Sequence, residues 1–137
     1  METAITVHDG ASDNDVRSFL DAEWSAIDPD PWTERKCIIT AERDGRLIGA
    51  ATCSVSAGVA HLGELMVTKQ ERNNGIGARL LKAFEEWAVA HDAHILTLDT
   101  RHHGPAQNFY ERHGWRVEHV LANHYMRNDY AGMVKEP

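Results

Sequence analysis

The chain has 137 residues, of which 42% are hydrophobic and 26% charged. This length is that of one ordinary domain with a real core, and this composition excludes a disordered chain. The formal net charge of -7 argues against coating a nucleic-acid backbone, which requires a basic surface. It suits a small cationic partner better, although surface acidity that only serves solubility is the more common explanation. We therefore predict a single domain over residues 1–137 that binds no nucleic acid.

The sequence carries no strong mark of a membrane protein, a secreted protein or a metalloprotein. No apolar run approaches the roughly 18 residues of a membrane span, and the N-terminus lacks a basic segment followed by a hydrophobic one. The two cysteines, Cys37 and Cys53, are too few for a disulfide framework or a zinc site, and the nine histidines are scattered. We predict a cytoplasmic protein with buried thiols, no metal and no membrane contact, and leave a homodimer open.

The first half of the chain reads as a strand, a helix and three further strands. A short β-type run at residues 4–8 precedes a helix within 12–28, where apolar residues recur at helical spacing until a proline-rich segment ends it. Two turns, Asp44-Gly45 and Ala57-Gly58, then join β-type runs between residues 36 and 67. We predict three consecutive antiparallel strands there.

The second half alternates helices and strands. Its clearest helix follows residue 75, with apolar residues every three or four positions. A short apolar strand at 94–100, a helix at about 105–113 that begins with proline, and two last strands complete the chain. The order β α β β β α β α β β predicts an α/β fold with a mixed sheet of about seven strands and helices on its faces.

The segment at 72–77, RNNGIG, lies between a strand that ends at Val67 and a helix that starts near Ile76. A helix N-terminus carries unsatisfied N–H groups and a partial positive charge, so it favours phosphate, and Gly75 and Gly77 let a ligand approach the backbone. The glycines could instead serve only a turn and close packing, and the residues alone leave both interpretations open. The spacing fits neither a P-loop nor a dinucleotide-binding fingerprint.

This segment also matches the acetyl-coenzyme A motif R/Q-x-x-G-x-G/A. With its flanks, LMVTKQERNNGIGARLL and the later AQNFYERHGW, the chain resembles the GNAT superfamily of N-acetyltransferases over residues 47–118. The resemblance implies a GNAT-type, mostly antiparallel sheet splayed in the middle, with acetyl-coenzyme A held by backbone groups. It assigns the pyrophosphate to Arg72, Asn73, Asn74, Gly75, Ile76, Gly77 and Ala78, and the pantetheine arm to Leu65, Met66 and Val67.

The resemblance also implies catalytic residues. Tyr110 falls where the family often has a tyrosine that protonates the departing thiolate, although packing beneath a helix would explain it too. Glu64 resembles acids that some members use to deprotonate the amine, Asp99 is the second choice, and either carboxylate could instead pair with an arginine. His103 lies near the position of a cofactor-contacting asparagine, but the segment is one residue short, so that Asn108 is the alternative.

The acceptor is expected to bind the loops after the first helix and near the C-terminus. Acidic and aromatic side chains there suit a cationic amine, while packing explains the tryptophans equally well. The candidate acceptor-binding residues are Trp24, Asp28, Asp30, Trp32, His124 and Tyr125. We predict direct acetyl transfer to a small primary amine in a ternary complex, without distinguishing a polyamine, an aminoglycoside or an amino acid.

Two other functions stay open at this point. The chain could bind an acyl-coenzyme A as a sensor without catalysis, although the retained Tyr110 and Glu64 argue against that. It could also act on a protein lysine or a protein N-terminus. An open groove at the acceptor site would favour a protein substrate, and crowded loops would favour a small one.

Overall fold

The computed structural model describes residues 3–28 and 33–137, and it contains two compact units, residues 1–31 and 32–137. In the first unit, helix α1 spans Asn14–Ile27. Its N-terminus is capped by Asp13, whose carboxylate accepts hydrogen bonds from the N–H groups of Asp15 (2.7 Å) and Val16 (3.2 Å). The predicted helix is confirmed. The predicted strand at 4–8 is wrong, because residues 3–8 form no regular element, and so short a run is not stable as an isolated strand.

The second unit contains a sheet and two α-helices. The elements are β1 Glu34–Arg43, β2 Arg46–Ser56, β3 Val59–Val67, α2 Ile76–Ala90, β4 Ile95–Arg101, α3 Pro105–Arg112, β5 Arg116–Leu121 and β6 Tyr130–Lys135, with single 3-10 turns at Lys69–Glu71 and Tyr125–Arg127. The sheet has six strands in the order β1-β2-β3-β4-β6-β5, and only β3 and β4 are parallel neighbours. The mixed, mostly antiparallel sheet is therefore confirmed, with one strand fewer than expected.

Both predicted hairpin turns are present between the first three strands. Asp44 (φ 52°) and Gly45 (φ 74°) form the turn from β1 to β2, and Ala57 (φ 51°) and Gly58 (φ 82°) form the turn from β2 to β3. Two left-handed central residues give the turn whose twist matches that of the flanking strands. The turns set the register of the first rungs, Arg43 with Arg46 and Ser56 with Val59, and each hairpin has one register shift further along.

Helix α2 covers one face of the sheet, where it contacts β1, β2 and β3. Its buried residues recur at three- and four-residue intervals and are Ile76, Leu80, Leu81, Phe84 and Ala88. Phe84 and Leu81 are completely buried, together with Leu96 of β4 and Met133 of β6. Burial of each such side chain contributes about 2 kcal/mol, so that the helix is firmly seated with its N-terminus beyond the end of β3.

The two parallel strands separate part of the way along their length. Pairing between β3 and β4 runs from Val59 with Ile95 to Leu62 with Leu98 and goes no further. Beyond that rung β3 stays paired with β2 as far as Val67, whereas β4 stays paired with β6 as far as Arg101. The sheet is therefore splayed between its two middle strands, and the backbone of β3 beyond Leu62 faces the opening.

A β-bulge at Gly63 lies where the strands begin to separate. Thr52 of β2 pairs with Glu64, but Cys53 pairs with Leu62, which leaves Gly63 as the extra residue. The bulge shifts the alternation of side chains along β3. Leu62 and Leu65 consequently pack on the same face as α2, although an unbroken strand would place them on opposite faces.

Candidate active site

The loop before α2 presents backbone amides at a helix N-terminus. Asn73 (φ 65°) and Gly75 (φ 80°) adopt left-handed backbone, and Gly75 is the N-cap residue. The first hydrogen bond of the helix is donated by the Arg79 N–H to the Gly75 carbonyl at 3.1 Å. No side chain in the described part of the chain caps this end of the helix. The N–H groups from Ile76 to Ala78 can therefore donate hydrogen bonds to a bound anion.

Arg72 ties this loop to the end of β3. Its Nε donates to the carbonyl oxygen of Val67 at 2.9 Å, and a terminal guanidinium nitrogen lies 3.5 Å from the sulfur of Met66. The Arg72 side chain thus fixes the loop against the strand, a role that the motif spacing did not indicate. Three of the residues that the resemblance assigns to acetyl-coenzyme A, namely Met66, Val67 and Arg72, therefore meet at one corner of the opening.

Helix α3 approaches the same corner. A Cβ added at Gly77 would lie 3.6 Å from Cζ of Phe109 and 3.9 Å from Cδ2 of Leu65, which is ordinary van der Waals distance. Gly77 is therefore the point where α2, α3 and β3 come together. An alanine would fit there, so that close packing alone does not require the glycine.

Tyr110 lies on α3 within the core, with 7% of its surface exposed. Its ring contacts the ring of Trp115 at a centroid distance of 6.0 Å and that of Phe109 at 5.1 Å. Burial raises the pKa of the Tyr110 phenol, because the charged phenolate is poorly solvated there. The phenol therefore remains protonated at neutral pH, as a proton donor must, and the same burial agrees with the packing interpretation.

A buried glutamine anchors the loop from β4 to α3. The side-chain oxygen of Gln107 accepts a hydrogen bond from the His103 N–H at 2.7 Å and lies 3.2 Å from Nδ1 of His102. Its nitrogen donates to a carboxylate oxygen of Glu111 at 2.9 Å. His103 itself is left-handed (φ 60°) and exposed, and Asn108 is exposed on α3. A contact of His103 or, alternatively, of Asn108 with acetyl-coenzyme A stays a prediction.

Four polar side chains lie on the second face of the sheet, opposite α2. His61 is in register with Thr97, and Nδ1 of His61 lies 2.8 Å from the Thr97 hydroxyl oxygen. On β2, the partner of His61 is Ser54 and the partner of Glu64 is Thr52. Residues two apart in a strand lie on the same face, so the bulge brings Glu64 onto the face of His61. Asp99, two residues after Thr97, also lies there. These four residues define the second-face cluster: His61, Glu64, Thr97 and Asp99.

A glycine admits another histidine beside this cluster. Gly132 of β6 pairs with Asp99 on one side and with His119 on the other. A Cβ at Gly132 would lie 2.1 Å from Cε1 of His119, so that the imidazole crosses directly over the glycine. Sequence reasoning assigned no role to His61 or His119, because both histidines take their place only through pairing with distant strands.

The structure locates the predicted acceptor residues unevenly. Trp24 and Asp28 belong to the first unit, and Asp30 and Trp32 lie outside the described residues. His124 and Tyr125 follow β5, and their rings contact each other at 4.3 Å. Both also contact the ring of Tyr130, which pairs with Arg101 at the separated end of β4. This aromatic cluster therefore lies at the open end of the sheet.

The described residues contain no cluster of His, Cys, Asp and Glu side chains that could bind a metal ion. No helix among them is long and apolar enough to cross a membrane.

Cys53 is buried, Cys37 is half-buried, and both are free thiols. Burial, followed by the nearby Cys37, raises the pKa of Cys53 to about 12, so that it is a poor nucleophile.

The comparisons with known protein families, related sequences and solved structures all match acetyltransferases. The family described as "Acetyltransferase (GNAT) family" matches residues 7–115. An uncharacterized N-acetyltransferase of Methanocaldococcus jannaschii is 34% identical over 91 residues, which cover 65% of this chain and 58% of that protein. Another, of Bacillus subtilis, is 35% identical over 98 residues, which cover 66% of this chain and 65% of that protein. A solved acetyltransferase of Bacillus cereus has a TM-score of 0.75 at 19% identity and covers 96% of this chain and 98% of its own.

Proposed function

Because this chain belongs to the acetyltransferase (GNAT) family, we propose that it transfers the acetyl group of acetyl-coenzyme A to a small primary amine. The transfer is direct, with donor and acceptor bound together. One observation carries the proposal. The sheet opens between β3 and β4 immediately beside the uncapped N-terminus of α2, which combines an extended backbone edge with an anion site.

The donor is proposed to lie along this opening. The backbone from Leu65 to Val67 would pair with the amide groups of the pantetheine arm, and the loop from Arg72 to Ala78 would bind the pyrophosphate. The exposed His103 and Asn108 are the two candidates for a further polar contact. The thioester would then lie near the last paired rung of β3 and β4.

The chemistry requires a neutral amine and a protonated leaving group. A lysine-like amine with a pKa of ~10.4 is almost entirely protonated at neutral pH, so a base near the acceptor raises the reactive fraction. Glu64 and Asp99, on the second face, are carboxylates that can take this role or attract the cation. Tyr110, with its raised pKa, is the proposed donor of a proton to the thiolate.

A small cationic acceptor is favoured by the charge around the opening. Glu64 and Asp99 are both exposed, and the chain as a whole is acidic. The rings of His124, Tyr125 and Tyr130 provide faces on which an ammonium group can rest. The sequence-based assignment of Trp24 and Asp28 to acceptor binding stays a prediction.

A product analysis separates this function from a protein acetyltransferase. The protein would be incubated with acetyl-coenzyme A, a panel of small amines and a panel of peptides with free lysine or free N-termini, and the products weighed by mass spectrometry. We expect acetylated small amines and unmodified peptides. Acetylated peptides alone would replace the proposal by the protein-directed activity.

Initial rates test the ternary complex. With both substrates varied, direct transfer gives double-reciprocal lines that intersect, whereas an acetylated enzyme intermediate gives parallel lines. We expect intersecting lines, since Cys53 is a poor nucleophile. Parallel lines together with a covalently acetylated protein would overturn direct transfer.

A further inference from the structure

His61 and Thr97 form a hydrogen-bonded pair at the apex of the opening. They face each other across β3 and β4, one rung before the last paired residues, Leu62 and Leu98. Nδ1 of His61 and the hydroxyl oxygen of Thr97 are 2.8 Å apart, and both side chains are half-buried. The imidazole is therefore held at the place where the two strands begin to separate.

The neighbouring carbonyl group offers the Thr97 hydroxyl a second hydrogen-bonding partner. The Thr97 hydroxyl donates to the carbonyl oxygen of Ala60 at 3.4 Å, and a carbonyl oxygen can only accept. With its single proton directed to that carbonyl, the Thr97 hydroxyl accepts a hydrogen bond from Nδ1–H of His61. The other ring nitrogen, Nε2, then carries the free electron pair of the neutral imidazole.

We propose that His61, oriented by Thr97, is the base that takes a proton from the acceptor amine in the proposed acetyl transfer. The inference rests on the proposed function and assigns a residue that sequence reasoning did not single out. Thr97 is a positioning residue that acts through His61. Glu64 lies on the same face, but it is exposed, and no hydrogen bond orients it within the described chain. We therefore assign Glu64 to attraction of the cation.

The proton balance is complete with these residues. Nε2 of His61 takes one proton from the bound ammonium group and releases it to solvent. The amine nitrogen then bonds to the thioester carbonyl carbon, and the carbon–sulfur bond breaks with its electron pair on sulfur. The sulfur takes the phenol proton of Tyr110. The nitrogen keeps one proton in the amide and loses the other through water to the phenolate, so that one proton is released per ammonium group acetylated.

The tautomer can be read in the resting protein. In 15N-labelled protein at a pH where the ring is neutral, long-range 1H–15N spectra distinguish a protonated Nδ1 from a protonated Nε2. We expect a protonated Nδ1 in the wild type and in Thr97→Ser, and a shift towards the other tautomer in Thr97→Val. A protonated Nε2 in the wild type would overturn the proposal.

Kinetics test the role itself, with matched variants and two acceptors. His61→Ala should lower kcat by about 100-fold or more on the aliphatic amine that the wild type uses fastest, with an unchanged KM for acetyl-coenzyme A. Added imidazole should restore part of the rate. The loss should be much smaller with hydroxylamine, which is largely neutral at the assay pH. Thr97→Val should lose rate in the same pattern, and Thr97→Ser should retain it.

The outcomes separate this inference from the proposed function. A wild-type protein that acetylates no amine contradicts the proposed function itself. A wild type that turns over while His61→Ala retains its full rate removes His61 as the base, and a large loss in Glu64→Gln alone would transfer the role to Glu64. An equal loss on both acceptors without rescue by imidazole would reduce His61 to a structural residue.

Discussion

Among single residues, Tyr110 combines packing with the proposed chemistry. Its ring fills the core against Trp115, and the same burial keeps its hydroxyl protonated by raising the pKa. A sequence reveals a tyrosine at a family position, but only the structure reveals how strongly it is desolvated. The packing role and the catalytic role can be separated because phenylalanine preserves the first and removes the second.

The substitution Tyr110→Phe is expected to lower kcat by about 100-fold, because the departing thiolate loses its proton donor. The KM for acetyl-coenzyme A should not change, and the free energy of unfolding should change by no more than about 1 kcal/mol. Steady-state kinetics and urea denaturation measure the two effects. Full turnover in this variant would remove Tyr110 from the mechanism.

Gly77 allows a matched pair of substitutions at the proposed pyrophosphate site. A Cβ fits against Phe109 and Leu65, so Gly77→Ala should fold and bind acetyl-coenzyme A within a few-fold of the wild type. Gly77→Glu places a carboxylate where the pyrophosphate is proposed to bind, and like charges should weaken binding by at least about 100-fold. A carboxylate near a helix N-terminus favours the helix, so that we expect this variant to remain folded.

Isothermal titration calorimetry with acetyl-coenzyme A measures this difference directly. Denaturation of both Gly77 variants provides the control for folding. Equal affinity of the alanine and glutamate variants would place the donor elsewhere.

His61 shows why part of the site could not be predicted from sequence. In an unbroken strand, residues three apart point to opposite faces, so His61 and Glu64 appear unrelated. The bulge at Gly63 reverses this and places both on the second face. The partner of His61, Thr97, comes from a strand 36 positions later, which no local pattern connects to it.

Among the elements, the hairpins and α2 were predictable because their signals are local. Asp44-Gly45 specifies a tight turn by itself, and the spacing of Leu80, Leu81 and Phe84 defines the buried side of α2. The splay and its bulge depend instead on how β3 pairs with β2 while β4 pairs with β6. From the residues alone they were not predictable, and only the family resemblance indicated the splay.

The loop from β4 to α3 provides a stability prediction. Gln107→Leu leaves the His103 N–H and the Glu111 carboxylate without their partner, so it should lower the free energy of unfolding by about 1–3 kcal/mol. The neighbouring exposed residue provides the control, since Asn108→Ala should change stability by less than about 0.5 kcal/mol. Urea denaturation compares the two variants. Equal stability would show that Gln107 does not anchor the loop.

At the scale of the whole molecule, the order of elements followed from the sequence from α1 to β6. The exception is the run at 4–8, which forms no strand, because so short a β-type run is not stable without a partner strand. The single domain, the cytoplasmic location and the homodimer stay predictions. The acceptor-binding residues also stay a prediction, because a pattern of tryptophans and acids is explained by packing as well as by binding.

The central claim is that the opening beside α2 binds acetyl-coenzyme A for transfer to an amine. The most direct test is the rate of coenzyme A thiol release from acetyl-coenzyme A with and without each member of a panel of small amines. We predict release that depends on the amine, is retained in Gly77→Ala and is lost in Gly77→Glu. Saturable binding of acetyl-coenzyme A with no amine-dependent release from any member would contradict the claim and favour an acyl-coenzyme A sensor.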